Sequence, residues 1–235
     1  MSMEFLRSVT SKRALEIIES FQATLGNETV DIENALDRVL AEDIIAQDNI
    51  PPFDRSLVDG FAVKVNDIQG AKETSPAFLS VVGEVGVGER AQIGIDDGQS
   101  VHVSTGAMIP EGADAMVMEE YVRRLPDAIE VTRAVHKGEN ICFRGEDIEK
   151  GERLKAKGKR LTAFDLGVFA ALGVTKIRVY RKPEVALTSS GDEIVDIDKK
   201  PPYGKVRDIN RYTVSNILRR AGAIVTFVGI ARDTM

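Results

Sequence analysis

Apolar residues recur at helical spacing near the amino terminus of the chain. They predict a first helix that is capped by Thr10 or Ser11 and ends at Gly26. A second helix is expected to begin at a cap formed by Asp31 and to continue through Leu40. The pattern then changes to short runs that are typical of strands, so the two helices are predicted to precede a β-rich region.

Short apolar or alternating runs separated by glycines occupy the chain between about Pro76 and Val135. They predict strands at residues 78–82, 100–104, 115–118, 121–123 and 129–132. Many short strands with frequent turn residues are typical of a small barrel or sandwich. Because helices are predicted on both sides of this region, we interpret it as a domain inserted into another.

The rest of the chain alternates between helices and strands. Thr162, followed three positions later by Asp165, has the form of a capping box and predicts a helix that ends before Gly173. A strand is expected at residues 177–180.

The last part of the chain has the pattern of a strand, a helix and a second strand. The compact apolar run 185–187 suits a parallel strand buried on both faces. A helix capped by Asn210 is expected to end at Gly222, and residues 224–228 predict the next strand. Because two strands and one helix cannot cover both faces of a sheet, we expect this domain to be incomplete and the chain to be a fragment.

Composition excludes several classes of protein. The net charge of -6 argues against a nucleic-acid-binding protein, which carries a basic surface. No run approaches the ~18 apolar residues of a membrane span, and the amino terminus lacks the apolar core of a signal peptide. With Cys142 as the single cysteine, no intrachain disulfide can form, so a cytoplasmic location is expected. His102 and His136 are not spaced as zinc ligands.

The candidate chemistry centres on residues 50–63, where two prolines precede Asp59 and Gly60. An Asp-Gly pair is a common turn, since glycine accepts positive φ and aspartate bonds to its own backbone. A strand is expected to resume at Phe61. The pair is either a plain hairpin turn or a carboxylate held on a rigid corner, and the residues alone leave both open.

Five segments together resemble the molybdopterin molybdotransferase family, which contains the bacterial MoeA proteins and the E domain of gephyrin. They are residues 50–63, 104–115, 144–148, 182–193 and 204–212, in the order of the family's motifs. The first has the pattern P-x-F-D-x-S-x-x-D-G-[FY]-A-V. The fourth is similar to K-P-x-V-A-[LI]-x-S-T-G-D-E, with Ser190 in place of the threonine, and in the fifth Ile209 replaces a serine or threonine.

The resemblance implies an enzyme of molybdenum cofactor biosynthesis. The family inserts molybdate into adenylylated molybdopterin with release of AMP, and Mg²⁺ assists cleavage of the pyrophosphate. The implied partners are a pterin nucleotide substrate and a second copy of the chain in a homodimer. The implied catalytic residues are Asp59, Thr105, Asp147, Glu193 and Asp233. In this family the first three face the last two across the dimer interface.

The loop after the predicted strand 185–187 is a second candidate site. The resemblance implies that substrate is bound by Ser189, Ser190, Gly191, Asp192, Asp208 and Asn210. Small hydroxyl residues and glycine let backbone amides approach a phosphate, and carboxylates opposite a phosphate suit Mg²⁺. With the resemblance, Glu193 and Asp233 are the expected metal ligands. Without it, the residues favour a plain loop in which the carboxylates of Asp192 and Glu193 cap the backbone or face solvent.

The expected fold is α+β and multidomain. Residues 1–26, 45–57 and 140–182 are assigned to an elongated α/β first domain, and residues 27–44 and 58–139 to a small inserted domain that is β-rich and barrel-like. Residues 183–235 are assigned to the truncated start of a doubly wound α/β domain, which is molybdopterin-binding-like.

Other functions stay open on the sequence alone. The chain could be a non-catalytic dimerising scaffold, since the E domain of gephyrin also anchors receptors. It could also be a paralogue that handles tungstate, a tetrahedral dianion of nearly the same size as molybdate. The 235-residue chain itself is expected to be inactive, because further phosphate and molybdate contacts belong to parts of the family's third domain that it does not carry.

Overall fold

The structure is a computed structural model that describes residues 9–21 and 25–233. The described residues divide into two compact units, one drawn from Met1–Asp43 and Ala156–Met235 and the other from Ile44–Lys155. Together their elements give a mixed α/β fold, as the sequence predicted. Among the described residues, every helix is too short or too polar to span a bilayer.

The elements are short, and strands outnumber helices among the described residues. The α-helices are α1 (Ser11–Ser20), α2 (Ala163–Ala171) and α3 (Asn210–Arg220), and 3-10 turns lie at Ile32–Asn34, Val65–Ile68 and Glu119–Tyr121. The strands are β1 (Asn27–Asp31), β2 (Ile44–Ile45), β3 (Arg55–Ser56), β4 (Gly60–Val63), β5 (Lys72–Val85), β6 (Gln99–Val103), β7 (Ala115–Met118), β8 (Val122–Arg124), β9 (Ala128–Arg133), β10 (Ile141–Cys142), β11 (Arg153–Lys155), β12 (Lys176–Tyr180), β13 (Glu184–Ser190), β14 (Ile194–Val195), β15 (Val206–Arg207) and β16 (Ile224–Ala231).

The unit Ile44–Lys155 is built around a six-stranded sheet in the order β7-β4-β6-β5-β9-β8. Each of the five predicted runs overlaps one of the strands β5 to β9. Because successive side chains of a strand point to opposite faces, Phe61 and Val63 enter one buried cluster and Ala62 enters another. Both faces of the sheet therefore bury a core. Among the described strands β7 and β8 are not paired with each other, so the barrel-like shape of this region stays a prediction.

Gly60 is not the turn residue that the sequence suggested. It begins β4, and it is not among the glycines with positive φ. A Cβ atom on Gly60 would lie 2.0 Å from the carbonyl oxygen of Val117 in the neighbouring strand β7. Glycine is required because two backbones approach closely, and not because of a turn conformation. The predicted resumption of a strand at Phe61 is confirmed.

The first predicted helix is confirmed in position but is shorter than expected. Thr10 is its N-cap, and its side chain accepts a hydrogen bond from the amide of Arg13. The helix α1 ends at Ser20, before the predicted end at Gly26. Residues 22–24 of the predicted helix lie outside the described residues.

The second predicted helix is wrong. Ile32–Asn34 forms a single 3-10 turn, and Asp37 then adopts a φ of 62°. The amide of Leu40 donates to the carbonyl of Lys159 at 3.0 Å, and Val39 bridges to Arg160. The backbone of this segment therefore bonds to a distant part of the chain and not along a helix.

The ladder between β1 and β12 places the segment before this turn in the unit of Met1–Asp43 and Ala156–Met235. The strands are antiparallel, with Asn27 opposite Tyr180 and Asp31 opposite Lys176. The sequence assigned residues 27–44 to the inserted domain, whereas the structure groups Met1–Asp43 with Ala156–Met235, and the division into domains stays a prediction. The predicted capping box of Thr162 and Asp165 is confirmed at the start of α2.

The strands β13 and β16 are parallel and are connected through α3, which confirms the predicted pattern of strand, helix and strand. The expectation that the first strand is buried on both faces is wrong, since residues along β13 alternate between exposed and half-buried. Asn210 is the first residue of α3 and not its cap. The carboxylate of Asp208 accepts a hydrogen bond from the amide of Arg211 at 2.9 Å. Asp208, and not Asn210, therefore provides the acceptor for a free amide in the first turn of α3.

Candidate functional site

Asp59 and Thr105 are brought together by the six-stranded sheet. Asp59 precedes β4, and Thr105 lies in the turn after β6, which pairs with β4. The amide of Thr105 donates to the carboxylate of Asp59, with 2.8 Å between nitrogen and oxygen. Gly106 in the same turn has a φ of 82°, which glycine adopts readily. Because Asp59 and Thr105 are both exposed, the pair presents a fixed carboxylate and a hydroxyl to solvent.

The carboxylate of Asp59 is held in its charged form. The backbone amide of Thr105, and then its side chain, lowers the pKa of Asp59 below the ordinary value for aspartate. Desolvation opposes this lowering in part, and the charge of His102 adds to it weakly. Asp59 is therefore an anion at neutral pH, suited to orienting a hydroxyl or neutralising a cation.

Asp147, the third predicted residue of this unit, is tied to the stretch 50–63 by backbone and side-chain contacts. Its amide donates to the carbonyl of Ile50 at 2.9 Å, and its carboxylate lies 4.0 Å from the guanidinium of Arg55. The nearby amide of Arg144 donates to the carboxylate of Asp54 at 2.7 Å. Asp147 is exposed, so its contact with Arg55 is a loose surface ion pair that leaves the carboxylate accessible.

The strand β3 connects these contacts. It pairs with β10, and the carbonyl of Ser56 accepts from the amide of Gly106 at 2.8 Å, in the turn that carries Thr105. All three predicted residues of this unit are therefore attached to β3 or to the residues beside it. Arg55 was not selected from the sequence, although it lies inside the first motif. Its Nε atom is buried and has no hydrogen-bond partner among the described residues.

In the other unit, Ser189 and Asp208 form the centre of the second candidate site. The hydroxyl of Ser189 donates to one carboxylate oxygen of Asp208 at 2.5 Å, and the other oxygen accepts from the amide of Arg211. Asp208 is only 3% exposed. One oxygen of Asp208 bonds to Ser189 at the end of β13, and the other bonds to Arg211 in α3. Asp208 therefore links the end of that strand to the start of that helix. Asn210, by contrast, is exposed at the first position of that helix.

The loop after β13 lies beside the end of β16. The amide of Gly191 donates to the carbonyl of Ala231 at 3.1 Å, and the guanidinium of Arg232 donates to the carbonyl of Asp192 at 3.2 Å. Gly191 has a φ of 133°, and a Cβ atom there would lie 2.6 Å from the carboxylate of Glu193. Glycine is thus required for this loop geometry. Arg232 is a further residue that the sequence did not select.

The predicted metal ligands Glu193 and Asp233 follow the carboxyl ends of the two parallel strands, where open α/β sheets bind ligands. Both are exposed, as are Ser190 and Asp192 beside them. No group of three or more His, Cys, Asp or Glu residues that could hold a metal ion exists within residues 9–21 and 25–233. Carboxylate oxygens are ligands that Mg²⁺ accepts, so the assignment of Glu193 and Asp233 to Mg²⁺ stays a prediction.

The comparison with protein families decides what these motifs represent. The model of the MoeA N-terminal region, domains I and II, matches residues 9–173, which is more than half of the chain. The chain belongs to the MoeA family.

Solved MoeA structures share its fold. The molybdopterin biosynthesis MoeA protein from Pyrococcus horikosii has a TM-score of 0.87 and 39% sequence identity, with 97% of this chain and 58% of that chain covered. A crystal structure of the MoeA protein from Pyrococcus horikoshii OT3 has a TM-score of 0.88 and 35% identity, with 95% of this chain and 60% of that chain covered. The MoeA resemblance inferred from five motifs is therefore confirmed.

Curated MoeA relatives carry the name molybdopterin molybdenumtransferase. Those from Staphylococcus epidermidis and Staphylococcus aureus are each 32% identical to this chain over all 235 of its residues. The chain spans 56% of the length of these relatives. Molybdenum cofactor biosynthesis is thus the process with which the family is associated.

Proposed function

We propose that this chain is part of a molybdopterin molybdotransferase that inserts molybdate into adenylylated molybdopterin and releases AMP. The observation that carries the proposal is the hydrogen bond from Thr105 to Asp59, which fixes a charged carboxylate and a hydroxyl in two of the family's motifs. The name shared by the curated relatives supports the same activity.

The chemistry proposed for the unit Ile44–Lys155 is electrostatic. Insertion of an oxyanion and cleavage of a pyrophosphate require charges and dipoles that are already in position, more than a strong nucleophile. Asp59 and Thr105 supply a fixed anion and a hydroxyl, and Asp147 supplies a second exposed carboxylate. Arg55, beside Asp147, adds a cation that can hold an anionic group of the substrate.

The substrate contacts proposed for the other unit come from the loop after β13. Ser190 offers a hydroxyl, Gly191 the close approach of its backbone, and Asp192 a carboxylate. Asn210, the first residue of α3, adds an exposed side-chain amide. Ser189 and Asp208 bond to each other, so their proposed role is to hold this loop in place.

Glu193 and Asp233 are the proposed ligands of Mg²⁺. The described residues offer no larger cluster, so the remaining ligands are expected to be substrate phosphate oxygens and water. When bound, the metal ion would neutralise charge on the pyrophosphate. Metal binding to these two residues should therefore depend on the presence of the substrate.

We further propose that the protein works as a cytoplasmic homodimer. The site residues form two sets, one in each unit, and the family resemblance implies that such sets meet across a dimer interface. Light scattering at micromolar concentration should give twice the chain mass of 25.7 kDa. A value of one chain mass would contradict the dimer.

The variant Asp59→Asn tests the proposed activity. Because the chain spans 58% of the Pyrococcus horikosii protein, the assay uses a chimera of residues 1–235 followed by the remaining part of that protein. Asparagine keeps the acceptor for the amide of Thr105 but removes the charge, so turnover should fall on the order of a hundredfold while the fold is retained. AMP release from adenylylated molybdopterin in the presence of molybdate measures turnover.

Asp127→Asn is the matched control, because Asp127 is an exposed carboxylate between β8 and β9 of the same unit. It should leave turnover unchanged. Wild-type turnover in Asp59→Asn would reassign Asp59 to a structural role, and a folded chimera without AMP release would contradict the activity itself. The unfused 235-residue chain is expected to be inactive, and AMP release from it would show that the functional unit is smaller than proposed.

A further inference from the structure

A basic cleft of about 830 Å³ lies within the unit of Met1–Asp43 and Ala156–Met235. None of the site residues described above lines it. Six cationic side chains and one acidic side chain, that of Asp37, line the cleft. The cations are Arg38, Arg160, Arg181, Lys182, Arg219 and Arg220. The whole chain has a net charge of -6, so positive charge is concentrated here against an acidic background.

Two of the six cations are engaged by other parts of the protein. Arg38 is buried, where it donates to the carbonyl of Tyr180 at 2.8 Å and pairs with Glu28. Arg160 donates to the carbonyl of Ala221 at 3.3 Å and lies 4.0 Å from Asp37.

The other four cations are available for a ligand. Within residues 9–21 and 25–233, the side chains of Arg181, Lys182, Arg219 and Arg220 form no hydrogen bond or ion pair. All four residues are exposed. They lie on two separate segments, the connection between β12 and β13 and the last turn of α3, so they face the cleft from two walls.

Two features of the cleft disfavour the binding of an anion. Their combined negative charge is smaller than the positive charge of the four unpaired cations. The carboxyl end of α3 reaches the cleft at Ala221 and Gly222, and such an end carries roughly half a negative charge. Asp37 adds one full charge, which Arg160 faces at 4.0 Å. Four unpaired cations remain in excess of these groups.

The rest of the lining determines the kind of anion. Leu36, Val39, Tyr180 and Pro183 form apolar parts of the wall between the cationic groups. The volume lies within the roughly 300–1,000 Å³ of small-molecule sites. Arginine forks bind phosphate oxygens in a bidentate manner, and an apolar wall accommodates a ring. We propose that this cleft binds a nucleotide-sized phosphorylated molecule, with its phosphates on the cations and its ring on the apolar wall.

Calorimetric titration of the 235-residue chain with ATP, pyrophosphate and adenosine tests the proposal. ATP should bind most tightly, pyrophosphate more weakly and adenosine least. Amide shifts on addition of ATP should be largest at Val39 and Gly222 and small at Gly191, which lies in the loop of the proposed function.

The double variant Lys182→Gln/Arg219→Gln should weaken ATP binding about tenfold or more, because it removes one unpaired cation from each wall. The matched control is Lys199→Gln/Lys200→Gln, which removes the same charge from an exposed segment of the same unit and should change affinity by less than about twofold.

Three binding results would each overturn the inference. They are an absence of ATP binding at millimolar concentration, an equal loss of affinity in both double variants, and adenosine binding as tight as that of ATP. Shifts centred on Gly191 would also overturn it, since they would place ATP at the loop after β13, and they would leave the proposed function untouched.

Discussion

At the scale of single residues, the methyl group that Gly60→Ala introduces should disturb the pairing of β4 with β7 in the six-stranded sheet. The new Cβ atom would lie 2.0 Å from the carbonyl oxygen of Val117, so β4 and β7 must move apart. We expect the free energy of unfolding to fall by about 3 kcal/mol or more, at the upper end of the cost of overpacking. Urea denaturation followed by circular dichroism measures the change.

Gly167→Ala is the control for this prediction. Gly167 lies on the exposed face of α2, and a Cβ atom there would meet nothing within 4 Å. Alanine in a helix interior should raise stability by up to about 1 kcal/mol. If the two variants were equally stable, close approach of the backbones would not be the reason for glycine at position 60.

The hydrogen bond between Thr105 and Asp59 should be visible in the titration of Asp59. Because the pKa of Asp59 is lowered in the folded protein, its contribution to stability is present above about pH 3.9, the ordinary pKa of aspartate, and is lost as pH falls through the lowered value. Thr105→Ala should raise the pKa of Asp59 only part of the way, since the backbone amide still donates. The pH dependence of the carboxyl carbon shift measures this.

Asp97 is an internal control for the same titration. Its pKa is lowered by a hydrogen bond from Lys64, at 2.7 Å, which Thr105→Ala does not touch. Its titration should therefore be unchanged in the variant. An unchanged titration of Asp59 as well would show that the hydroxyl of Thr105 does not act on that carboxylate.

At the scale of elements, α2 depends on its capping box. The hydroxyl of Thr162 accepts from the amide of Asp165 at 3.3 Å, and the carboxylate of Asp165 accepts from the amide of Thr162 at 2.8 Å. Thr162→Ala should lower the free energy of unfolding by about 1 kcal/mol, because an amide of the first turn loses its acceptor. Thr162→Ser keeps the acceptor and should be close to wild type. Equal urea midpoints for the two variants would contradict the role of the cap.

At the scale of the whole molecule, the two parallel strands should be the less stable sheet. Residues along β13 are exposed or half-buried, whereas β4 is buried at all four of its positions. Among the described strands, β13 pairs only with β16, so each has an unpaired edge. Amides in residues 184–233 should exchange with solvent about a hundredfold faster than those of β4 and β6.

Mass spectrometry of exchanged fragments measures this difference in the 235-residue chain. Adding Mg²⁺ and pterin nucleotide should not protect residues 184–233, because two strands supply only part of the predicted substrate contacts. Slow exchange throughout that segment would show that this sheet is stable without further strands.

Much of the element pattern could be predicted from the sequence because it depends on neighbours in the chain. The capping box at Thr162 joins residues three apart, and the strand at Lys176–Tyr180 follows from alternation along five residues. The parallel pairing of β13 and β16 follows from one helix between two apolar runs. Asp59 and Thr105 were selected from the sequence through their motifs. The motifs did not predict that the two residues are in contact, and it is the register of the sheet that brings them together.

The tertiary structure decided the features that depend on residues far apart in the chain. Val39 and Leu40 have the spacing of a helix, but their backbone bonds with Arg160 and Lys159 replace the helical ones. Position 60 requires glycine because the backbone of Val117, on another strand, leaves no room for a Cβ atom. The basic cleft forms because the residues before β13 lie beside the end of α3. Local patterns determined most of the elements, and packing determined which elements contact each other. The reason is that a hydrophobic pattern specifies that a face is buried but not which surface covers it.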